Sequence, residues 1–384
     1  MPRHAHDDIR VAHKEAWNLR HWGYEVVLLC RHAPVERYLG MHVVASRACA
    51  QGLLRPILNL PRLLQQTLSL KADLYIIENP DTLPLGFLLL LMRKRVVYSA
   101  HEDFVRKTEI HPSIPKTLMK VLGLTIVACE FVLTRLAAAT IVTQPSVQRR
   151  YRPHAILVEN APLTHGPVMR RAERIYSQLA DTDMPTLIYA GAIRRNRGLD
   201  RMLEIIERLN EIRPWKLKLI GHFVHNADLA SAAAHTGWRY VEYLGRVPHA
   251  VSLAHIRSAD IGLALLDDVG GYSESSITKL YEYMLMETPF VASNFSMWRD
   301  SIEDTPAGLF VDFDDIATLT LEIDELFADR ERYQRMQAAG RRFVELRFNW
   351  HLVSAPTQHI VRDLLRERPS ISASDEREQR QSSS

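Results

Sequence analysis

Short apolar runs alternate with amphipathic helical segments along most of this 384-residue chain, and this alternation constrains the fold more than any other feature. The runs are four to six residues long and end in small or polar residues, as buried parallel strands do. Repeated strand–helix units predict an α/β fold in which helices cover both faces of parallel sheets. The predicted strands are residues 26–30, 74–78, 95–100, 140–144 and 156–160 in the first half, and 186–191, 216–221, 241–245, 261–266, 289–293 and 309–312 in the second; the clearest helical segments are 11–22, Leu199–Ile212 and Ile316–Ala328.

The length of the chain and a break near residue 160 predict two domains. A chain of this length can bury two separate cores. Residues 160–167 carry two prolines and a glycine between regular segments, which is typical of a hinge. We predict an N-terminal domain at 1–163, a C-terminal domain at 168–346, a helix at 347–368 that crosses back onto the first domain, and a disordered tail at 369–384 that is rich in Ser, Gln and charge.

One strand is missing from the pattern of the N-terminal half. Residues 9–22 resemble the first helix of a doubly wound domain, yet no apolar run precedes them. The first strand of such a domain lies near the middle of its sheet. Its absence predicts strand edges without a neighbour, where each buried unsatisfied group costs roughly 1–3 kcal/mol. Either the natural start lies upstream or the N-terminal sheet is impaired.

Charge is distributed unevenly between the two halves. Over residues 1–165, Lys and Arg number 21 against 13 Asp and Glu, whereas the remainder carries an excess of five acidic residues. A basic N-terminal half suits anionic lipid head groups or phosphate-bearing substrates, and solvated surface charge is the alternative. We predict no nucleic-acid partner.

Cysteine usage and hydropathy restrict the compartment. The three cysteines, Cys30, Cys49 and Cys129, have no metal-binding or redox spacing, which favours a reducing cytoplasm. The most apolar long stretch, residues 117–142, is interrupted by charges and its uncharged runs are too short to span a bilayer. Any membrane contact is therefore predicted to be peripheral, at the inner face of the plasma membrane.

Two carboxylates eight residues apart, Glu274 and Glu282, bracket a helix start that is rich in Ser and Thr. Eight residues are just over two helical turns, so both acids lie near one face. Ser275 and Ser276 leave backbone N–H groups free at the helix start, where a phosphate can bind. Carboxylates for sugar hydroxyls beside amides for a diphosphate predict a nucleotide-sugar pocket. Alternatively both acids are solvated, and Lys279 pairs with Glu282.

Two further candidate sites follow predicted strands, at the edge where open α/β sheets bind ligands. In residues 189–198, Gly191 lets the backbone approach a ligand, and Arg197 could stabilise the charge that develops on a departing diphosphate; a solvated basic loop is the alternative. His101 follows the strand 95–100 and could donate to a sugar hydroxyl, or could be a surface or capping residue. No Gly-x-Gly-x-x-Gly and no Walker motif is present, which argues against dehydrogenases and ATPases.

These segments together resemble the family-4 glycosyltransferases of the GT-B fold, particularly those of bacterial surface-polysaccharide assembly. The resemblance extends from Asp8 to Trp350, and the order and spacing of its parts make it specific. The similar segments are residues 8–16 with 23–26, His101-Glu102, Arg197-Gly198, residues 279–284 with 289–293, Trp298-Arg299 and Asn349-Trp350.

The resemblance implies two Rossmann-like domains facing across a cleft. It implies transfer with retention of anomeric configuration from a UDP- or GDP-linked sugar to a saccharide acceptor carried on a polyprenyl diphosphate, with no metal and no other cofactor. Glu274, Arg197 and His101 would be catalytic, and Glu282 would bind the ribose. The implied donor-binding residues are Gly191, Arg197, Gly245, Val247, Ser275, Ser276, Ile277, Lys279 and Glu282, and those on the acceptor side are Asp8, Arg10 and Lys14.

Departures from the family pattern leave other hypotheses open. Glu287 replaces a usual glycine, and because Glu tolerates positive φ poorly, we predict that this turn differs. Ala192 replaces a frequent phosphate-binding Arg, and Ser99 a frequent Asp. A GT-B scaffold with impaired catalysis, acting as a binding or assembly partner, is therefore the alternative. A nucleotide-sugar 2-epimerase of the same fold would need further acid–base residues in the cleft.

Overall fold

The computed structural model describes residues 6–48, 55–100, 116–179, 184–269, 271–274 and 277–366, without the side chains of 116–120. His101, Ser275, Ser276 and the predicted tail lie outside these ranges. The strands are β1 Val27–Cys30, β2 Arg37–Tyr38, β3 Met41–Ala45, β4 Tyr75–Glu78, β5 Val96–Ala100, β6 Ala139–Val142, β7 Ala155–Leu157, β8 Thr186–Ala190, β9 Lys216–Ile220, β10 Val241–Gly245, β11 Ile261–Ala264, β12 Phe290–Ser293 and β13 Gly308–Val311.

Helices follow the strands in almost strict alternation. The first, α1, is a π-helix over Ile9–Ala16 that continues as an α-helix over Trp17–His21. The others are α2 Arg55–Leu58, α3 Leu60–Ser69, α4 Leu83–Leu91, α5 Lys116–Leu136, α6 Pro145–Tyr151, α7 Pro167–Tyr176, α8 Leu199–Ile212, α9 Asn226–Ala234, α10 His249–Arg257, α11 Thr278–Leu285, α12 Ser296–Ser301, α13 Ile316–Ala328, α14 Arg330–Arg347 and α15 Trp350–Arg366.

The C-terminal half is built on one parallel sheet whose described strands have the order β10-β9-β8-β11-β12-β13. Successive residues of β8 enter opposite cores: Leu187 and Tyr189 pack on one face of the sheet, Ile188 and Ala190 on the other. Such strands need apolar residues at every position, which explains the uninterrupted runs in the sequence. The chain order reverses between β8 and β11, and ligands bind at such a switch point, beyond the carboxyl ends of the strands.

The N-terminal half has a divided sheet. In the part of the chain that the structure describes, β1-β3-β2 form one piece and the parallel strands β4-β5-β6-β7 form another. The first strand of a doubly wound domain would lie between β1 and β4 and would join the two pieces. Among the described residues no strand joins the two pieces, and the missing first strand stays a prediction. The antiparallel pairing of β2 with β3 was not predicted.

The last helix crosses back onto the N-terminal half, as predicted. The Trp350 indole Nε1 donates to the Lys14 carbonyl oxygen at 3.2 Å, and Asn18 Nδ2 donates to Ser354 Oγ at 3.0 Å. The Arg10 guanidinium lies 4.6 Å from the centroid of the Trp350 ring. These contacts tie α1 to the start of α15. None of the helices described has both the length and the hydropathy needed to cross a bilayer.

The turn at Glu287 corrects one expectation. We predicted that this turn would differ from a glycine turn, but Glu287 adopts a left-handed φ of 58°. That conformation costs a residue with a Cβ roughly 1–2 kcal/mol. Opposing this cost, the Glu287 carboxylate lies 3.1 Å from Arg257 and 3.3 Å from Arg341, and Gln337 donates to its carbonyl oxygen. The glycine-like geometry is kept because its neighbours bind the glutamate.

Candidate active site

Two glycine turns meet where the central strands of the C-terminal sheet end. Gly191 follows β8 and Gly221 follows β9, with φ of +148° and +139°. A Cβ on Gly221 would lie only 1.8 Å from the carbonyl oxygen of Gly191. Gly191 N–H donates to Ile220 and Gly221 N–H donates to Gly245, so the ends of β8, β9 and β10 are linked. Glycine is required at position 221 by the close approach of the Gly191 carbonyl, and neither glycine turn carries a side chain at these two positions.

A buried lysine points at this turn. Lys279 lies in the first turn of α11, is 9% exposed, and its Nζ is 3.8 Å from the centroid of the Tyr189 ring. A Cβ on Gly191 would come within 3.1 Å of this Nζ. Among the described residues the Nζ has no hydrogen-bond partner. Burial, then Arg197, lowers the pKa of Lys279 well below its ordinary value, and Glu282 opposes this shift.

Arg197 supplies a second cation. It ends the 3-10 turn Arg195–Arg197, directly before α8, and its Nε donates to the Tyr272 hydroxyl at 3.2 Å. The Tyr272 ring also lies 5.2 Å from the guanidinium. Arg197 contributes to lowering the pKa of Lys279, which shows that the two cations face one region. Two cations beside a helix start form a site for a polyanion, because bound negative charge offsets their repulsion.

Glu282 lies one helical turn beyond Lys279, beside the end of β10. Its Oε1 is 3.5 Å from Nε2 of His249, the first residue of α10. Gly245 and Val247 form the turn between β10 and α10, and Gly245 has φ of +65°. Burial lowers the pKa of His249 and Glu282 opposes it. The His249 ring is therefore mainly neutral near pH 7, and its contact with the Glu282 carboxylate is a polar contact and not an ion pair.

Lys14 approaches the same carboxylate from the N-terminal half. Its Nζ donates to Asn160 Oδ1 at 2.7 Å, and Asn160 Nδ2 donates in turn to Thr278 Oγ1, at the start of α11, at 3.2 Å. Burial, then Arg10, lowers the pKa of Lys14 to about 7, with Glu282 opposing. Lys14 therefore bridges the hinge and the helix that carries Lys279 and Glu282.

The lowered pKa of Lys14 predicts a pH dependence of stability. An unfolded lysine has a pKa of about 10.4, so between pH 7 and 10 the unfolded state binds more protons and the Lys14 contribution to stability rises with pH. Replacing Lys14 with Met should reduce the rise of the free energy of unfolding with pH, between pH 7 and 9, by up to about 1 kcal/mol per pH unit. Urea denaturation measures this slope. Lys216→Met, at a half-buried lysine of β9, is the control; equal slopes for wild type and Lys14→Met would contradict the prediction.

The other predicted residues divide into two groups. Asp8 caps α1, since its Oδ1 accepts from Val11 N–H at 3.0 Å, and Arg10 donates to Glu15 and to the carbonyl oxygens of residues 158 and 159. Asp8 thus binds within its own helix and Arg10 binds next to the hinge, and their acceptor-side roles stay predictions. Glu274 is exposed in the turn Tyr272–Glu274, whose Tyr272 contacts Arg197, and Ile277 immediately precedes α11.

The structure therefore brings most of the predicted donor residues to one edge of the sheet. The turn at Gly191 lies beside Arg197 and Lys279. Next to it are Gly245 and Glu282. Sequence reasoning missed the role of Gly221, although a glycine directly after a strand was a visible signal. It also missed His249, Asn160 and Thr278, which have no local signature. No group of three or more His, Cys, Asp or Glu side chains in the described ranges could hold a metal ion.

Comparison with known proteins identifies a matching family and a similar sequence. Residues 171–343 match the family model for group 1 glycosyl transferases. Over 121 residues the chain is 31% identical to the phosphatidyl-myo-inositol mannosyltransferase of Mycobacterium leprae, an alignment covering 32% of this chain and 31% of that protein. The chain thus spans less than a third of this relative's length.

Solved structures share the fold over nearly the whole chain. Sucrose-phosphate synthase from Thermosynechococcus elongatus superposes with a TM-score of 0.71 at 18% identity, covering 94% of both chains. WaaG, a glycosyltransferase involved in lipopolysaccharide biosynthesis, gives 0.64 at 12% identity over 90% of this chain and 92% of its own. Anabaena Alr3699/HepE, in complex with UDP-glucose, gives 0.61 at 14% identity over 85% and 86%. Residues 171–343 thus match the group 1 glycosyl transferase family, within a chain that has the two-domain fold of GT-B glycosyltransferases.

Proposed function

We propose that this protein moves a sugar from a nucleoside-diphosphate sugar to a saccharide acceptor with retention of anomeric configuration. The observation that carries the proposal is the buried Lys279 side chain, whose Nζ lacks a hydrogen-bond partner among the described residues and lies at the Gly191 turn, where Arg197 affects its pKa. A diphosphate supplies negative charge for both cations and fits against a turn without side chains. The Anabaena complex with UDP-glucose favours UDP over GDP as the nucleotide.

Each part of the donor has a proposed partner. Glu282 binds the ribose hydroxyls, for which it exchanges its contact with His249, and the turn at Gly245 and Val247 borders the base. Glu274, in the turn next to Arg197, binds the hydroxyls of the transferred sugar. The roles of His101, Ser275 and Ser276 stay predictions, since these residues lie outside the described ranges.

The two cations also suit the chemistry of transfer. When the bond from the anomeric carbon to the β-phosphate oxygen breaks, negative charge grows on the departing diphosphate. Fixed cations in a water-poor site stabilise that charge without reorganising. The acceptor hydroxyl then bonds to the anomeric carbon on the face that the diphosphate leaves, and its proton passes to the departing diphosphate oxygen. We propose that Lys279 and Arg197 make a metal ion unnecessary, so activity should survive EDTA.

The acceptor is proposed to be a saccharide on a polyprenyl diphosphate, in surface-polysaccharide synthesis. The basic N-terminal half supports this, because such an acceptor carries a diphosphate and lies at the inner face of the plasma membrane. WaaG, with the same fold, is involved in lipopolysaccharide biosynthesis. The scaffold hypothesis draws its support from the divided N-terminal sheet, which could impair the acceptor side.

Incubation with UDP-glucose, UDP-N-acetylglucosamine and GDP-mannose, followed by mass spectrometry, tests the proposal. We expect release of the nucleoside diphosphate or transfer from at least one donor, and loss of that activity in Glu274→Ala. In parallel, UDP at 100 times its Kd should stabilise the fold by about 2.7 kcal/mol. Stabilisation without turnover would favour the scaffold. If neither UDP nor GDP stabilises the fold and no donor is turned over, the proposed nucleotide site itself is overturned.

A further inference from the structure

Helix α5 presents apolar side chains to solvent along one side. Val121 is 61% exposed, Leu124 62%, Val132 47% and Leu136 58%. Their spacing of three, eight and four residues keeps them near one helical face. The opposite side of the helix packs into the core through Leu133, which is fully buried. Because α5 rises about 1.5 Å per residue, this exposed apolar stripe is about 22 Å long.

The stripe continues onto the end of α4. Leu91 is 81% exposed and Met92 47%. The two helices lie side by side, since a Cβ on Gly86 of α4 would contact Leu133 of α5 at 3.4 Å. Ala138, just after α5, donates its N–H to the carbonyl oxygen of Val96, the first residue of β5. Since β5 follows α4 in the chain, both helices end at the same edge of the sheet. We call the exposed residues 91–94, 121, 124, 131, 132, 135 and 136 the α4–α5 surface.

The exposed charges within residues 83–100 and 121–136 have one sign. Arg93, Lys94 and Arg135 are exposed beside the apolar stripe. Residues 83–100 and 121–136 contain a single carboxylate, Glu130. Glu130 is only 4% exposed and accepts hydrogen bonds from two buried tyrosine hydroxyls, those of Tyr98 and Tyr151, at 2.5 and 2.6 Å. It therefore contributes little negative charge to the outside.

We propose that the α4–α5 surface binds the head-group region of an anionic lipid bilayer. A soluble protein rarely exposes a long apolar stripe without a partner. Apolar side chains rimmed by cations, with no exposed carboxylate among them, match the boundary between acyl chains and anionic head groups. A protein partner for so basic a surface would need complementary acidic residues, whereas an anionic bilayer offers negative charge at every orientation.

The position of the surface deepens the proposed function, and in this respect it depends on that function. Because α5 follows β5, its first turns lie at the carboxyl edge of the sheet, the edge that borders the cleft. Val121 and Leu124 are therefore at the cleft end of the stripe, and Leu136 is at the far end. A bilayer on this surface would bring the cleft next to a lipid-linked acceptor.

Flotation with vesicles tests the proposal without any need for transfer activity. The full chain is mixed with vesicles of phosphatidylcholine and phosphatidylglycerol at 7:3, or of phosphatidylcholine alone. We expect wild type to float with the anionic vesicles, and the triple variant Leu124→Ser, Val132→Ser, Leu136→Ser to lose at least tenfold in partition coefficient. Each single change of a cation to Gln should lower the partition coefficient about fivefold, on anionic vesicles only. These variants are Arg93→Gln, Lys94→Gln and Arg135→Gln.

The matched control removes exposed apolar residues elsewhere. Ile212, Leu321 and Leu352 are 46%, 55% and 46% exposed on other helices, and their triple Ser variant should float like wild type. Circular dichroism and UDP-induced stabilisation confirm that each variant folds and keeps its nucleotide site, which separates failure here from failure of the proposed function. Wild type that does not float, a triple variant that floats unchanged, or a dimer abolished by that variant would each overturn the proposal.

Discussion

Replacing Lys279 with Met is expected to lower kcat/KM for transfer from a nucleoside-diphosphate sugar by about 10²–10³-fold. The methionine keeps the apolar contacts of the lysine stem with Tyr189 and removes only the charge. Loss of one preorganised donor to a developing anion costs about this much in other enzymes. Most of the loss should fall on kcat, because the diphosphate carries its greatest charge in the transition state.

Lys218→Met is the matched control for this variant. Lys218 is also a buried lysine of the C-terminal sheet, 8% exposed, and burial lowers its pKa, but it lies within β9 and not at its end. The control should keep kcat/KM within about twofold of wild type. A Lys279→Met enzyme with unchanged kcat would mean that Arg197 alone holds the diphosphate.

Replacing Gly221 with Ala is expected to lower the free energy of unfolding by about 3 kcal/mol and to abolish nucleotide binding. The positive φ alone costs an alanine roughly 1–2 kcal/mol. In addition, the new methyl group would lie 1.8 Å from the Gly191 carbonyl oxygen, so the Gly191 turn must move. Urea denaturation and titration with UDP measure the two effects separately.

Gly23→Ala separates backbone strain from collision. Gly23 has φ of +96°, and a Cβ there would have no neighbour within 4 Å. The free energy of unfolding of this variant should fall only by the cost of the positive φ, and the variant should bind UDP like wild type. If Gly221→Ala binds UDP as tightly as Gly23→Ala does, the contact between the two turns is not needed for the nucleotide site.

Most of the fold could be predicted because burial on both faces leaves a strong local signal. The predicted runs in the C-terminal half each became a strand within a residue or two, and α8 and α13 have the bounds that their periodicity indicated. The hairpin of β2 and β3 was missed because Arg37 and His42 break the apolar pattern of a short, half-buried pair. The π-helical geometry of Ile9–Ala16 was also missed, since no local pattern in these residues marks i→i+5 hydrogen bonds.

The candidate site was predictable only where its residues lie near strand ends. Gly191 and Arg197 follow β8, and Lys279 opens a helix, so local patterns located them. The contact of Lys14 with Asn160, and through it with Thr278, joins residues far apart in sequence, and no local pattern encodes such a contact. Glu287 shows the reverse error, because partners supplied by α10 and α14 made an unfavourable backbone conformation acceptable.

Because the described N-terminal sheet is divided, its smaller piece is joined to the rest by helix and side-chain contacts and not by a strand ladder. The unit of β1, β2 and β3 has a core of its own with α1, which includes Ala12, Leu28 and Met41, and its described strands share no ladder with β4. Local opening of such a unit costs less than global unfolding. Because α1 carries Lys14, each opening would free Asn160 and the start of α11 while the six-stranded sheet stays folded.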